Sequence, residues 1–146
     1  FLFDVKQILY SGVKSIANPM LPNLQTALLG QEEGAGFGWK DILVIKYGVM
    51  FSGLCGWDFM AGYSLSQNPI NQYNVMFNIL APAVIQNHVT FGISKGIAKN
   101  HEITLAFMFA LENSISGLNP LNGSPQTIEI GMKQWQVEVG YAFSSF

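Results

Sequence analysis

Side chains able to do acid–base, nucleophilic or metal chemistry are sparse in this sequence: two histidines, one cysteine, nine acidic and seven basic residues among 146. His88 follows Asn87, which supplies part of a Ser-His-Asn hydrolytic triad, but a triad is a geometry and no motif fixes a serine beside them. His88 is therefore expected as a polar residue where a loop meets a strand. His101 falls at a short turn and is expected to be solvated. Cys55 is alone, which excludes a disulfide framework or a cysteine metal site within the chain. No catalytic residue, metal site or cofactor is expected. The stronger chemical signal is apolar. Residues 76–85, MFNILAPAVI, carry Phe77, Ile79, Leu80 and Val84 in a segment without a regular period. Such groups are costly at an outer surface unless they pack inward or meet an apolar ligand, so these four are the candidate ligand-binding residues.

The elements that must position these groups are strands. Residues 101–111, HEITLAFMFAL, place Ile103, Leu105, Phe107, Phe109 and Leu111 at every second position, against Glu102, Thr104, Ala106, Met108 and Ala110. Period two is the strand period, and it gives one face of large apolar groups and one of smaller, mixed character. The same alternation predicts strands over residues 1–10, 39–51, 57–65, 88–97 and 127–146. In the last of these, Trp135, Val137, Val139, Tyr141 and Phe143 keep one parity while Ile128, Ile130 and Met132 have the other. A bulge or a change of environment near Lys133 and Gln134 would reconcile them. Residues 11–38, 66–87 and 112–126 are long connections rich in turn formers, whereas 52–56 and 98–100 are short. A short helix fits residues 21–29 with Pro22 near its start. Pro69 and Pro82 argue against a regular strand over 66–87. Asn122-Gly123-Ser124 matches a glycosylation sequon but is expected to serve as turn chemistry.

Antiparallel strands joined long, short, long, short, long put every short turn at one end and every long loop at the other, the asymmetry of outer-membrane barrels. Only 11% of residues are charged, against an average of about 25%, so the solvated outer shell of a water-soluble domain is missing. Net charge is −2 without any basic cluster, which leaves nucleic acid without a footprint. No run of about 18 apolar residues predicts a transmembrane helix, and a barrel would not show one. Aromatics gather toward the strand ends, with Phe51 and Trp57 at one short turn, Trp39 at a loop end, and Tyr141 and Phe143 near the terminus, as in interfacial girdles. The smaller faces, including Thr104, Ala106, Met108, Met60, Gly62 and Ser64, hold too little charge for a water-exposed exterior and suit a narrow, partly filled lumen. Inward-facing Lys6, Lys40, Lys46, Asp58, Glu112 and Glu138 are expected to pair across strands, with channel lining as the alternative. The expected fold class is all-β, an antiparallel transmembrane β-barrel. A soluble sandwich or lipocalin-like barrel with its large residues inward is the competing architecture.

Four motifs, Gly36-Phe37-Gly38-Trp39-Lys40-Asp41, Phe77-Asn78-Ile79-Leu80-Ala81-Pro82, His88-Val89-Thr90-Phe91-Gly92 and the closing Tyr141-Ala142-Phe143, resemble the C-terminal part of the FadL/TodX family of outer-membrane transporters. The resemblance covers nearly the whole chain, and its order and loop spacing are more specific than any one motif. It implies the last six strands of a barrel of about fourteen, monomeric when full length, with a plug upstream. It also implies passive uptake of long-chain fatty acids, with aromatic hydrocarbons second, across the outer membrane of a Gram-negative cell. The implied partners are those small molecules, outer-membrane lipid and lipopolysaccharide, and the barrel assembly machinery. Lys40, near the mouth, is the candidate partner for a fatty-acid carboxylate. The family's assembly signal is an aromatic residue in strand register at the terminus, where Tyr141 and Phe143 share parity and Phe146 departs from it. A second departure is that the plug and about eight earlier strands are absent, so six strands would leave two unpaired edges in lipid, and the chain is expected to be part of a longer precursor. A general porin, a phospholipase-like barrel enzyme and a soluble lipid-binding barrel are the alternative functions.

Overall fold

The computed structural model describes residues 1–121, 123 and 125–144, the side chain of Leu54 excepted. Six strands, β1 (Leu2–Ile8), β2 (Ile42–Leu54), β3 (Trp57–Ser66), β4 (Asn87–Ala98), β5 (His101–Leu118) and β6 (Thr127–Phe143), form one antiparallel sheet in sequence order. The protein is all-β in its regular framework, with no helix among the described residues long and apolar enough to cross a membrane. The sheet does not close on itself, and β1 and β6 are its edges. Two tight connections, residues 55–56 and 99–100, lie at one end of the sheet, and the longer ones lie at the other. The tight turns use left-handed backbone at Cys55, Gly56 and Asn100, the conformation that lets two antiparallel strands join without splaying.

Direct cross-strand neighbours show how the two faces are built. One row runs Phe91, Phe107, Val137 across β4, β5 and β6, and the next runs Phe51, Phe59, Ile93, Leu105, Val139 from β2 to β6. On the other face the corresponding rows are Gly48, Gly62, Thr90, Met108, Gln136 and Met50, Met60, Gly92, Ala106, Glu138. Strand alternation therefore segregates large apolar groups from small and weakly polar ones over the whole width of the sheet. The small-residue face lines a trough of ≈ 950 Å³. The large-residue face is uncovered: Trp135 is 71% and Val139 74% exposed, and Phe3, Tyr47, Phe51, Phe91 and Tyr141 are all more than half exposed.

Two of the strand boundaries that differ from those the alternation predicts have a clear physical reason. β2 begins at Ile42 rather than at residue 39, because Trp39 belongs to the loop, where its ring meets Tyr10 edge-on at 5.0 Å. β5 continues to Leu118, seven residues beyond 111, because Leu111 and Glu112 together oppose Lys133 alone in a bulge. The extra residue flips the parity, so Asn113 and Ile115 share a face with Met132 and Ile130. β6 itself is regular at that point. Its Ile130 and Met132 stay on the trough face, and what changes there is the environment, since loop residues cover them. The long connection of residues 9–41 contains helical turns at Tyr10–Gly12, Lys14–Ala17 and Asn23–Thr26. The last lies inside the predicted helical window and directly after Pro22. Residues 67–86 contain a single helical turn, Phe77–Ile79, and no strand.

Covering the trough face at the loop end, Ile70, Val75 and Val84 pack against Ile130, with Ile115, Ile128 and Met132 at the margin. Gly117 on β5 sits where this loop crosses the sheet, and a Cβ there would run into the Gln72 carbonyl and Val75. Gly117→Val is expected to lower stability by about 1–3 kcal/mol through overpacking, whereas Gly12→Ala, where an added Cβ meets nothing within 4 Å, should be nearly neutral. Urea titration of the two variants checks this pair.

Candidate functional site: the trough and its loop cap

Two loops remote in sequence are locked together over the end of the trough. Asn78 is fully buried. Its Oδ1 accepts a hydrogen bond from Trp39 Nε1 at 2.6 Å, and its Nδ2 donates to the carbonyls of Phe37 at 2.7 Å and Asn74 at 2.8 Å. Asn74 in turn accepts from the Met20 backbone N–H at 3.4 Å and donates to Asn71. Gly38 has a φ of +66°, and a Cβ there would clash with the Asn74 carboxamide, so the Gly-Phe-Gly-Trp segment needs its second glycine for conformation and for space. The Phe37 and Phe77 rings meet at 5.3 Å, joining the two loops by apolar as well as polar contact. Asn113, just beyond the bulge in β5, donates to the Val84 carbonyl at 2.7 Å and to Gln86 Oε1 at 3.0 Å, which ties the cap to the sheet. At the outer edge of the first loop, Lys14 lies 2.9 Å from Glu32 and 3.0 Å from Glu33. Hydrogen bonding to the Lys14 ammonium holds the Glu32 carboxyl below the usual carboxylate range, and the same contacts raise Lys14.

The four apolar candidates do not converge. Val84 is fully buried in the packed cluster beneath the cap, whereas Ile79 and Leu80 are exposed on top of it. Phe77 packs on Phe37 between the two levels. Lys40 is exposed in the loop, its backbone N–H bonded to the Pro69 carbonyl at 3.0 Å, and it does not line the trough. Tyr141 and Phe143 lie at the turn end of β6 on the large-residue face, while Phe146 lies outside the described residues. Asn122 and Ser124 of the sequon also lie outside them. His101 is at the start of β5, and its Nδ1 sits 2.6 Å from Tyr141 Oη, with the Phe143 ring 5.0 Å away. It is thus engaged in an aromatic cluster rather than merely solvated. Lys95, on the same face, lies 4.3 Å above the Trp57 ring.

Of the charged residues expected to pair across strands, Lys6, Lys40, Lys46, Asp58, Glu112 and Glu138, none is in an ion pair among the described residues. No group of three or more potential metal ligands occurs among those residues either. His88 lies at the start of β4, directly opposite Ala110 and Ser64, and lines the trough. Asn87 bonds the Tyr63 hydroxyl on the other face and not His88. What sequence pattern alone missed is the role of Asn78: an asparagine among turn formers looks like loop chemistry, and only its distance of 39 and 41 residues from Trp39 and Phe37 makes it a clasp. No family model, curated protein or solved structure matches the chain.

Proposed function

We propose that the sheet is part of the wall of a transmembrane β-barrel in the outer membrane, with its large-residue face in lipid and its trough face toward the lumen, and that the barrel admits hydrophobic small molecules passively. One observation carries this: a face of large, uncovered apolar side chains extends across all six strands, interrupted by polar groups only near its ends. On β5 the stretch from His101 to Leu111 makes ten steps. At about 3.4 Å per residue and a tilt of about 40°, that is about 26 Å of membrane height, close to the apolar band of such barrels. The polar groups at its ends, Lys95 on Trp57 and His101 on Tyr141, are amphipathic and aromatic pairs suited to a lipid–water interface. A water-soluble sheet would bury this face against a second layer.

The nature of the trough supports the cargo class. Its floor centres on methionine, glycine, alanine and threonine, with Met50, Met60 and Met108 the largest apolar groups there, while Lys46 and His88 stand toward the loop end and Gln136 and Glu138 on the β6 side. Flexible thioethers accommodate varied apolar shapes, whereas a channel for hydrated ions needs rings of charge. Long-chain fatty acids fit such a floor first and aromatic hydrocarbons second, and the resemblance to the FadL/TodX family points the same way. Cells carrying the full-length gene should take up labelled oleate faster than a deletion strain, and equal uptake in both would overturn the transport reading. Recovery of the protein in the periplasm would overturn the membrane reading, and phospholipid hydrolysis by the purified protein would favour a barrel enzyme.

A further inference from the structure

We infer that the large-residue face carries a docking site for one anionic glycerophospholipid of the periplasmic leaflet, with its phosphate on Lys95 and an acyl chain in a hollow over Ala61. The inference rests on the proposed placement of this face in lipid and names a lipid that the face retains. Lys95 and Trp57 are register partners on β4 and β3, and the Lys95 ammonium lies 4.3 Å above the indole ring. Contact with the ring fixes the direction of a long, flexible side chain and leaves its charged tip free for an anion. Among the described residues Lys95 has no ion-pair partner.

Strand parity separates the charges at this end of the sheet. Lys95 and His101 share the large-residue face with Trp57, Tyr141 and Phe143, whereas Asp58 and Glu102 fall on the trough face. The lipid side of the turn end therefore presents a positive charge beside aromatic groups, with both nearby carboxylates turned away from it. An anionic headgroup complements that arrangement, while a zwitterionic one brings its own cation against Lys95. The connections at this end, residues 55–56 and 99–100, are the short ones, which is the periplasmic side of such barrels. The neighbouring leaflet is then the one opposite the lipopolysaccharide.

The same strand supplies a place for the chain. On β3 the large-residue face reads Trp57, Phe59, Ala61, Tyr63, Leu65, with Ala61 its one small member. A hollow of ≈ 420 Å³ opens over Ala61, walled by Phe51, Phe59, Phe91, Ile93 and Phe107 and lined by no charged residue. Ala61 is four residues from Trp57, which is about 14 Å along the strand and about 10 Å of membrane depth at a tilt of about 40°. A lipid whose phosphate meets Lys95 thus has its acyl chain level with the hollow, where aromatic walls restrain it.

The test places the full-length protein in nanodiscs of mixed phosphatidylglycerol and phosphatidylcholine and identifies, by native mass spectrometry, the lipids that remain bound on release. The wild-type protein should retain phosphatidylglycerol about fivefold above its share of the bilayer, the enrichment expected from one basic residue at an anionic headgroup. Lys95→Gln should bring retention down to that share, and Lys95→Arg should keep the enrichment. Lys133→Gln, at the loop end of β6 on the same face, should leave it unchanged. Ala61→Phe, which fills the hollow, should lower retention of both lipids while the preference persists. No enrichment in the wild type, undiminished enrichment in Lys95→Gln, an equal loss in Lys133→Gln, or full retention in Ala61→Phe would each overturn the site. Failure of the wild-type protein to enter the nanodisc would instead count against the proposed function itself.

Discussion

Phe107→Arg is expected to destabilise the full-length protein in a bilayer by about 2–4 kcal/mol, the cost of a basic side chain facing lipid near the midplane of a β-barrel. Phe107 is the position to choose. It lies midway along the part of β5 that faces uncovered apolar neighbours, flanked in register by Phe91 and Val137, and its strand neighbour Ala106 faces the trough. The matched change Ala106→Ser, one residue away on the other face, should cost under about 1 kcal/mol because it places a small hydroxyl where weakly polar groups already stand. Chemical unfolding of both variants in phospholipid vesicles gives the comparison. A small effect at Phe107, or the same effect at both sites, would mean that the large-residue face does not meet lipid.

The second large effect is expected at the loop cap. Asn78→Leu removes three hydrogen bonds at once and leaves the Trp39 indole N–H and the Phe37 and Asn74 carbonyls without their partner. At about 1–3 kcal/mol for each polar group left unsatisfied, and with some of them recovering water, the loss should be about 3–5 kcal/mol. It should be local. Residues 9–41 and 67–86 should become protease-sensitive while the strand amides keep their protection, because Ile70, Val75 and Val84 remain packed on Ile130. Asn78→Asp should be no milder despite its shape, since the carboxylate would meet two carbonyl oxygens in place of the amide donor. Unchanged proteolysis in both variants would show that the clasp does not hold the loops.

Much of the framework was legible in the sequence because strand alternation is a local signal. Each of the six predicted strands is present, and long and short connections alternate as the turn residues indicate. What escaped is non-local. The end of β5 was hidden by the bulge at Leu111 and Glu112, which reverses parity and makes Asn113 to Leu118 look like the start of a loop. The reversed parity of Ile130 and Met132 was visible, but whether a bulge or a covered face caused it depended on a loop some fifty residues away. The site was less legible than the fold. The apolar run of residues 76–85 stood out, yet the structure divides it between a buried core, a ring contact and an exposed tip. Lys40 and Lys46 are both lysines near strand β2, and only the register distinguishes the one that faces the trough.

In the proposed orientation, odd-numbered side chains of β5 between His101 and Leu111 face lipid and even-numbered ones face the lumen. Nitroxide labels placed singly from residue 103 to residue 110 of the full-length protein in phospholipid vesicles, with Cys55 replaced by serine, test it most directly. Accessibility to oxygen, which dissolves in lipid, should peak at 103, 105, 107 and 109, and accessibility to a water-soluble nickel chelate should follow the opposite parity. Alternation with the phases exchanged, or high chelate accessibility at all eight positions, would contradict it.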